Sequence, residues 1–498
     1  PYAPTMSFHI NIILTVVAAT TLILIFFKHL LNKVTSSVSS KRTKLLLNLP
    51  PGEMGLPWLG ETMDFYRSQR NNRLFEDFLR PRIAKHGSIF KTRLMGSPTI
   101  VVNGAEANRF FLSNEFKLVV SSWPASSVQL MGEKSIMEAK GHQHRTVRGL
   151  IATALSYSGL EALVPKMCKL VQSSLAEHWD ATTEISLYRW TKNLTFAIVF
   201  ECLLGMEVRP GMVEVFERVL EGVFEPAVGF PGSKFSGAKR ARGEIKGMLV
   251  EVVREKRKEL EAGGEGGGGE EGQLMWRLVK AVMEGEVTEE EVVDNVVLLV
   301  FAAHDTTSYA IAMTFRMLAR HPDCYHLVLQ EHMEIRKKKE KEKEGGMGNL
   351  LSLEEVKRMK YTWDVARESM RLFPPIFGSF RKAIHDIHFG GYTIPKGWKV
   401  LWTAYGTHYS EEYFEEAMSF KPSRFQDQKF PPYAYVPFGG GPRICAGSQL
   451  AKLNILVLLH CVVTAYDWSL VFPEEQIRMD PLPFPSHGMP IRVSPKSP

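Results

Sequence analysis

Cysteine is scarce. The 498 residues hold five, Cys168, Cys202, Cys324, Cys445 and Cys461, an odd number, widely spaced and with no CxxC pair. That excludes a secreted disulfide framework and a zinc ribbon, and it fits a reducing compartment. A dominant charge is lacking as well: Lys+Arg of 61 against Asp+Glu of 54 leaves a formal +7. So small an excess makes no case for nucleic acid as a partner. A basic patch facing a membrane or an acidic protein accounts for it equally well. No G-x-G-x-x-G follows an apolar strand, and no Gly-Lys-Ser/Thr follows a glycine run, so dinucleotide and phosphate loops are missing. No internal repeat is found. Composition is ordinary, at 45% hydrophobic and 23% charged residues, which excludes a mainly disordered chain, a collagen and a polytopic transporter.

Long apolar runs are also few, and one stands out. Ile10 to Phe27, INIILTVVAATTLILIFF, carries no charge. At 1.5 Å per residue it spans roughly 27 Å, enough for a hydrocarbon core. A cleaved signal peptide needs a basic n-region and a small-residue cleavage site, and neither is present. Lys28, Lys33, Lys41, Arg42 and Lys44 follow with no acid among them, which puts the following side in the cytosol. Pro50 to Gly60, PPGEMGLPWLG, is too rich in proline and glycine for a helix and reads as a stiff lead-in. The expected organisation is therefore a transmembrane anchor over 1–30, a basic linker and hinge over 31–60, and one domain over 61–498.

Within that domain, Ile89–Leu94 and Thr99–Val102 flank a Met95-Gly96-Ser97-Pro98 turn and predict a β-hairpin. Most of Ala105 to Leu260 has helical periodicity, and Ile384 to Val400 reads as short strands and turns. Gly263–Gly272 and the charge run Arg336–Glu344 read as surface loops, because apolar helices continue on both sides. The expected fold is mainly α with small β-sheets. A single body of about 450 residues is larger than one hydrophobic core usually supports, which points to something large filling its middle.

The sequence Phe438-Gly439-Gly440-Gly441-Pro442-Arg443-Ile444-Cys445-Ala446-Gly447 precedes an apolar helix predicted over Ser448–Val463. Glycines let a backbone approach a flat object closely. A cysteine beside a helix N-terminus meets free N–H groups and the positive end of the dipole, which favours thiolate and suits a metal-bound sulfur. Position for position, the string resembles the haem-binding signature of the cytochromes P450, F-x-x-G-x-R-x-C-x-G. The resemblance implies haem b with Cys445 as axial iron ligand, whose thiolate favours O–O cleavage. It further implies Phe438 packed beside the cysteine, Arg443 paired with a haem propionate, and Gly447 allowing close approach of the following helix.

Three other stretches extend the resemblance over most of the body. One helix is predicted from Thr288 to Arg320, opened by the capping box Thr288-x-x-Glu291. Inside its apolar length sits Phe301-Ala302-Ala303-His304-Asp305-Thr306-Thr307. A hydroxyl there can bond back to the i−4 carbonyl and bend the helix. The stretch resembles the family's oxygen-activation motif, which implies that Asp305 and Thr306 hold water and feed protons to dioxygen. Ala303 departs from the glycine of many members. Glu368 and Arg371, with Arg424 in Phe420-Lys421-Pro422-Ser423-Arg424-Phe425, resemble a buried folding triad. His142 to Arg148 resembles the helix whose Trp and Arg hold the propionates. Arg148 matches, His144 stands where many members have Trp, and Arg381 is a third propionate candidate. A metal site from His142 and His144 is rejected, since i and i+2 on a helix point apart.

Phe380 to Ile387, Gly391 to Trp398 and Pro481 to Pro485 resemble the plant branch that contains triterpenoid and taxoid hydroxylases. The expected activity is insertion of one oxygen atom of dioxygen into a C–H bond of a hydrophobic polycyclic substrate, a terpenoid or a sterol. Electrons would come from a separate NADPH-dependent cytochrome reductase on the endoplasmic reticulum membrane, with the catalytic domain cytosolic and Lys452 near the docking face. Two readings compete: a haem-thiolate isomerase or dehydratase acting on peroxides, and a non-catalytic haem protein. Asp305, Thr306 and the uninterrupted cysteine loop argue against the first, and a long helix carrying polar groups toward the iron would be unneeded in the second.

Overall fold

The 289–320 helix is the axis of the molecule. Thr288 opens it: its side chain accepts from the Glu291 N–H while the Glu291 carboxylate accepts from the Thr288 N–H. Three glutamates in the first turn complement the positive end of the dipole. The helix then runs 32 residues, about 48 Å, to Arg320. It is apolar enough to cross a membrane by composition, yet most of it is buried inside this protein. The helices over Leu187–Ala197 and Lys360–Leu372 pack along it.

This architecture is seen in a computed structural model that describes residues 48–179, 184–262, 273–342, 350–427, 429–480 and 482–496. The apolar run 10–27, the basic stretch after it and the glycine-rich segment 263–272 lie outside the described residues. The fold is mainly helical with small sheets. A five-stranded sheet has the order Ile89–Leu94, Ser97–Val102, Lys399–Thr403, Gly378–Ala383, Val119–Ser121. Its hairpin differs from expectation. Only Met95 and Gly96 form the turn, both with positive φ, at 50° and 72°. Pro98 therefore lies in the strand, opposite Arg93, where the four-residue reading had put it in the loop. A two-residue turn with both residues left-handed matches the natural twist of a hairpin.

Further along this sheet, Ser121 pairs with Arg381 and Arg381 with Val400. That register carries Arg381 to the edge of the central cavity. The charge run at 336 differs from its reading as a loop: helix Pro322–Glu342 includes its first seven residues. Arg336 pairs with Glu340 at i,i+4 (3.0 Å), and Lys339 reaches Glu355 (3.1 Å), so a solvated helical face satisfies the same composition.

The expected triad forms. Glu368 and Arg371 are fully buried and Arg424 nearly so. Glu368 accepts from Arg371 Nε and Nη2 at 2.8 Å each and from Arg424 Nε at 2.9 Å. Arg371 also donates to the carbonyls of His408, Ala417 and Ser419. These bonds tie the 360–372 helix to the segment that leads into the cysteine loop. With every charge satisfied the network is tolerable in the core, and losing one member strands the others.

Candidate active site

The cysteine loop is set by close backbone packing. Cys445 N–H donates to the Phe438 carbonyl at 3.0 Å, and Gly439 N–H to Val436 at 3.0 Å. Gly439 and Gly441 have φ of 69° and 66°. A Cβ on Gly441 would lie 1.9 Å from the Leu112 carbonyl oxygen, and one on Gly440 would meet the Tyr433 ring at 2.5 Å. Only glycine permits that approach to the 105–113 helix. The following helix begins at Ser448, as its sequence predicts.

The loop closes one side of a cavity of about 1160 Å³. Ligand pockets usually measure roughly 300–1,000 Å³, so this space is large enough for a cofactor and a substrate together. Cys445, Phe438, Arg443 and Gly447 line one wall, and Ala302, Ala303 and Thr306 of the 289–320 helix line the opposite one. His144, Arg148 and Arg381 line the edge. All the sequence candidates except Asp305 thus border one space.

The Cys445 sulfur faces this cavity. Burial pushes its thiol above the ordinary value, and the Gly447 N–H and the Arg148 charge only partly offset that. The helix starts three residues downstream and one N–H, that of Gly447, reaches the sulfur, so the dipole is only part of what the site offers a thiolate. A soft metal ion supplies what is missing, since it deprotonates a thiol outright.

The cavity edge is cationic. Arg443 donates through Nε to Glu115 (2.8 Å) and through its terminal nitrogens to the carbonyls of Ile136, Met137 and Ala139 (2.9 to 3.0 Å). Of its five N–H groups one remains. Arg381 gives Nη1 to Ser379 and Phe380. Its Nε stands 2.9 Å from Glu115 Oε2, close enough for an ion pair but misaligned, so both atoms lack a true hydrogen bond. For Arg148 the described residues provide no hydrogen bond or ion pair. His144 is buried against Phe116, and burial, then Arg443 and Arg148, push it down to about 4, so it is neutral at pH 7. Unspent donors along one edge fit the two carboxylates of a dianionic group. Gly447 adds to the fit, since a Cβ there would meet only the Cys445 sulfur, at 4.0 Å.

On the opposite wall the helix stays α-helical through 301–307. The Thr306 hydroxyl donates to the Ala302 carbonyl at 2.6 Å, as its position allows, without breaking the helix. Asp305 turns away from the cavity. Its Oδ1 lies 3.1 Å from Lys192 Nζ and 3.6 Å from His304 Nδ1, and Lys192 also reaches Glu217 at 2.8 Å. Burial raises the Asp305 pKa, but His304 and Lys192 outweigh it and hold the carboxyl at about 2. Lys452, expected at a docking face, is half-buried with its ammonium over the Trp363 ring at 5.1 Å. His142 and His144 do not converge: His142 is exposed and its nearest polar partner is Thr146.

Two residues here escaped the sequence reading. Lys192 faces the 289–320 helix from the 187–197 helix, and Glu115 sits between the 105–113 helix and strand Val119–Ser121. Neither belongs to a motif, and no spacing brings Glu115 to Arg443, 328 residues away.

A sulfur-donor loop facing a hydroxyl-bearing helix across a flat, cation-edged space defines the haem-thiolate class. The comparisons agree. The sequence profile of the cytochrome P450 family matches residues 50–492, and the chain belongs to that family. It is 36% identical to taxane 13-alpha-hydroxylase of Taxus cuspidata over 460 residues, covering 91% of this chain and 93% of that one. Cytochrome P450 716A1 of Arabidopsis thaliana is 38% identical over 459 residues, covering 90% and 93%. Beta-amyrin 28-monooxygenase of Barbarea vulgaris is 34% identical over 455 residues, covering 90% and 93%. Among solved structures, retinoic acid bound cyanobacterial CYP120A1 matches with a TM-score of 0.80 and 29% identity, covering 90% of this chain and all of that one. The protein is accordingly a monooxygenase, an oxidoreductase of the haem-thiolate type.

Proposed function

We propose that this chain hydroxylates a rigid, apolar polycyclic terpenoid or sterol, and that Cys445 is the residue whose sulfur would hold the iron of haem b. The observation that carries the reading is the cavity itself, which Cys445 and Thr306 both line and whose lining is mostly apolar. Leu298, Leu299, Phe301, Phe224, Ile376 and Leu482 border it. Such a lining rewards burial of a hydrophobic body at about 25 cal/mol per Å² and offers few polar groups to orient one. The names of the relatives, taxane hydroxylases and a beta-amyrin monooxygenase, support the same substrate class.

Bound haem supplies the reductive activation of dioxygen and the transfer of one oxygen atom to a C–H bond. The residues do the rest. Cys445 provides the sulfur, with its backbone N–H engaged by the Phe438 carbonyl. Arg148, Arg381 and Arg443, with neutral His144, hold the propionates. Thr306 holds water in the cavity wall and hands on a proton through its hydroxyl. Asp305, ionised and paired with Lys192, fixes the helix behind Thr306 and relays protons when it exchanges that partner for water. Electrons come from a separate NADPH-dependent cytochrome reductase. The run 10–27 anchors the chain in the endoplasmic reticulum membrane as a single span, with the body, 61–498, in the cytosol.

The test is turnover with a flavin-containing reductase, NADPH and a panel of triterpenes, taxanes, sterols, linear fatty acids and polar phenolics under labelled dioxygen. One labelled oxygen atom in the product, strictly dependent on NADPH, is expected. Conversion of a peroxide without NADPH would overturn the monooxygenase role. Turnover restricted to linear or strongly polar substrates would overturn the substrate class.

A further inference from the structure

One acid, Glu115, stands against two of the arginines of the cationic edge, and it is deeply placed. The Glu115 side chain is fully buried. Its Oε1 accepts from the Ser121 N–H at 2.8 Å, the Ser121 hydroxyl at 3.1 Å and Arg443 Nε at 2.8 Å. Its Oε2 faces Arg381 Nε at 2.9 Å. One carboxylate thereby joins strand Val119–Ser121, strand Gly378–Ala383 and the cysteine loop, three segments far apart in the chain. It engages the Nε side of both arginines. The outer N–H groups of Arg381, at Nη2, and one of Arg443 are left without a hydrogen-bond acceptor among the described residues.

The charges have a further regularity. Arg148, Arg381 and Arg443 bring three positive charges to the edge, and His144 brings none at neutral pH. Haem b carries two propionates. Glu115 is the group that makes the sum zero. At the rim, half-buried Glu138 and exposed Lys140 carry opposite charges and leave that balance unchanged. An uncompensated charge buried at such an edge would act on the iron over a short distance in a medium of low dielectric.

We infer that Glu115 is a positioning residue for the cofactor: it aims Arg381 and Arg443 at the propionates and neutralises the third arginine. This rests on the haem-thiolate reading. It assigns to a residue outside every motif a share in haem retention and in the reduction potential of the iron. Removing its charge favours the ferrous state, because ferric iron carries one more positive charge. Removing Arg381's charge acts in the opposite sense.

The experiment uses the haem-loaded full chain. The wild type is first scored for the thiolate-type spectrum of its reduced carbon monoxide complex; without it the haem reading itself fails, and the variants are not interpreted. Ferric–ferrous potentials are then measured by spectroelectrochemistry for Glu115→Gln, Arg381→Gln and the double variant. The expected pattern is a rise, a fall and a return to the wild-type value. Haem release to an excess of apoglobin should quicken on the order of 10-fold in Glu115→Gln, the loss expected for one charge-assisted contact. An unchanged or lowered potential in Glu115→Gln, or a double variant that keeps the Arg381→Gln shift, would overturn the proposal, since a purely structural acid cannot give opposite signs that cancel. Where Glu115→Gln yields no folded protein, the double variant decides alone. Folding with a wild-type potential supports the inference, and the potential of Arg381→Gln sinks it.

Discussion

Lys192 Nζ lies 3.1 Å from Asp305 Oδ1, in a contact between two helices that both face away from the cavity at that point. Both side chains are largely buried, at 17% and 12% exposure, so the pair is not a screened surface bridge. Replacing Lys192 by Met should cost about 3 kcal/mol, because Asp305 is left buried and charged. Lys192→Met combined with Asp305→Asn should recover most of that loss. Denaturant unfolding of the three variants measures it, and additive losses in the double variant would show that the two side chains are not coupled.

The same pair gives a pH dependence with a definite sign. Asp305 is held at about 2, below its ordinary 3.8. A carboxyl depressed on folding stabilises the protein above its unfolded value and loses that contribution as pH falls through the folded value. The stability gap between wild type and Asp305→Asn, about 2 kcal/mol at neutral pH, should therefore be constant above about pH 5 and shrink as pH falls from 4 toward 2. A gap that widens on acidification would contradict the ion pair.

Thr306→Ala should fold and bind haem, since the haem-holding groups lie on other elements. Its defect should be in proton delivery. Positioned proton transfer contributes on the order of 10²–10⁴-fold, so product per NADPH should drop sharply while hydrogen peroxide rises. Measuring product, peroxide and NADPH together checks this. Coupling equal to wild type would remove Thr306 from the mechanism.

Cys445→Ser should lose the thiolate-type spectrum of the reduced carbon monoxide complex while keeping the fold, because the loop is held by glycine packing and backbone hydrogen bonds. Retention of the spectrum would mean that another residue ligates the iron. Arg371→Ala should behave differently. It strands Glu368 in the core, a loss of about 3–5 kcal/mol, and should yield little haem-loaded protein under any condition. Circular dichroism and haem content distinguish the two outcomes.

What could be read ahead of the structure was local. The capping box at Thr288 and Glu291, the glycines before Cys445 and the start of its helix at Ser448 all follow from near neighbours in the chain. So does the helix-surface separation of His142 from His144. The failures have a common cause. The free N–H groups and dipole beside Cys445 are legible in the sequence, but the desolvation that raises its thiol against the Gly447 N–H and Arg148 comes from the folded pocket. Residue type alone assigns Pro98 to a turn, but proline is also tolerated at the start of a strand, and here the pairing with Lys399–Thr403 begins only at Thr99. The run from Arg336 was judged by charge density, although i,i+4 pairing makes such a run a good helix surface. Glu115 and Lys192 act only through partners brought near by the fold, and a single sequence holds no record of those distances.

The lining of the cavity also bears on how this protein could diverge. The residues that hold the cofactor sit on glycine-packed loops and on sheet and helix positions that also carry the core. Phe224, Ile376 and Leu482, by contrast, come from connecting segments outside the regular helices and strands. Substitutions at those three positions can reshape the space offered to a substrate while the triad, the cysteine loop and the long helix stay intact. Part of the substrate lining is therefore carried apart from the catalytic residues, while Leu298, Leu299 and Phe301 share the long helix with Thr306. New selectivity can be selected here by a few side chains, and a library confined to 224, 376 and 482 samples it without touching the residues that hold the cofactor.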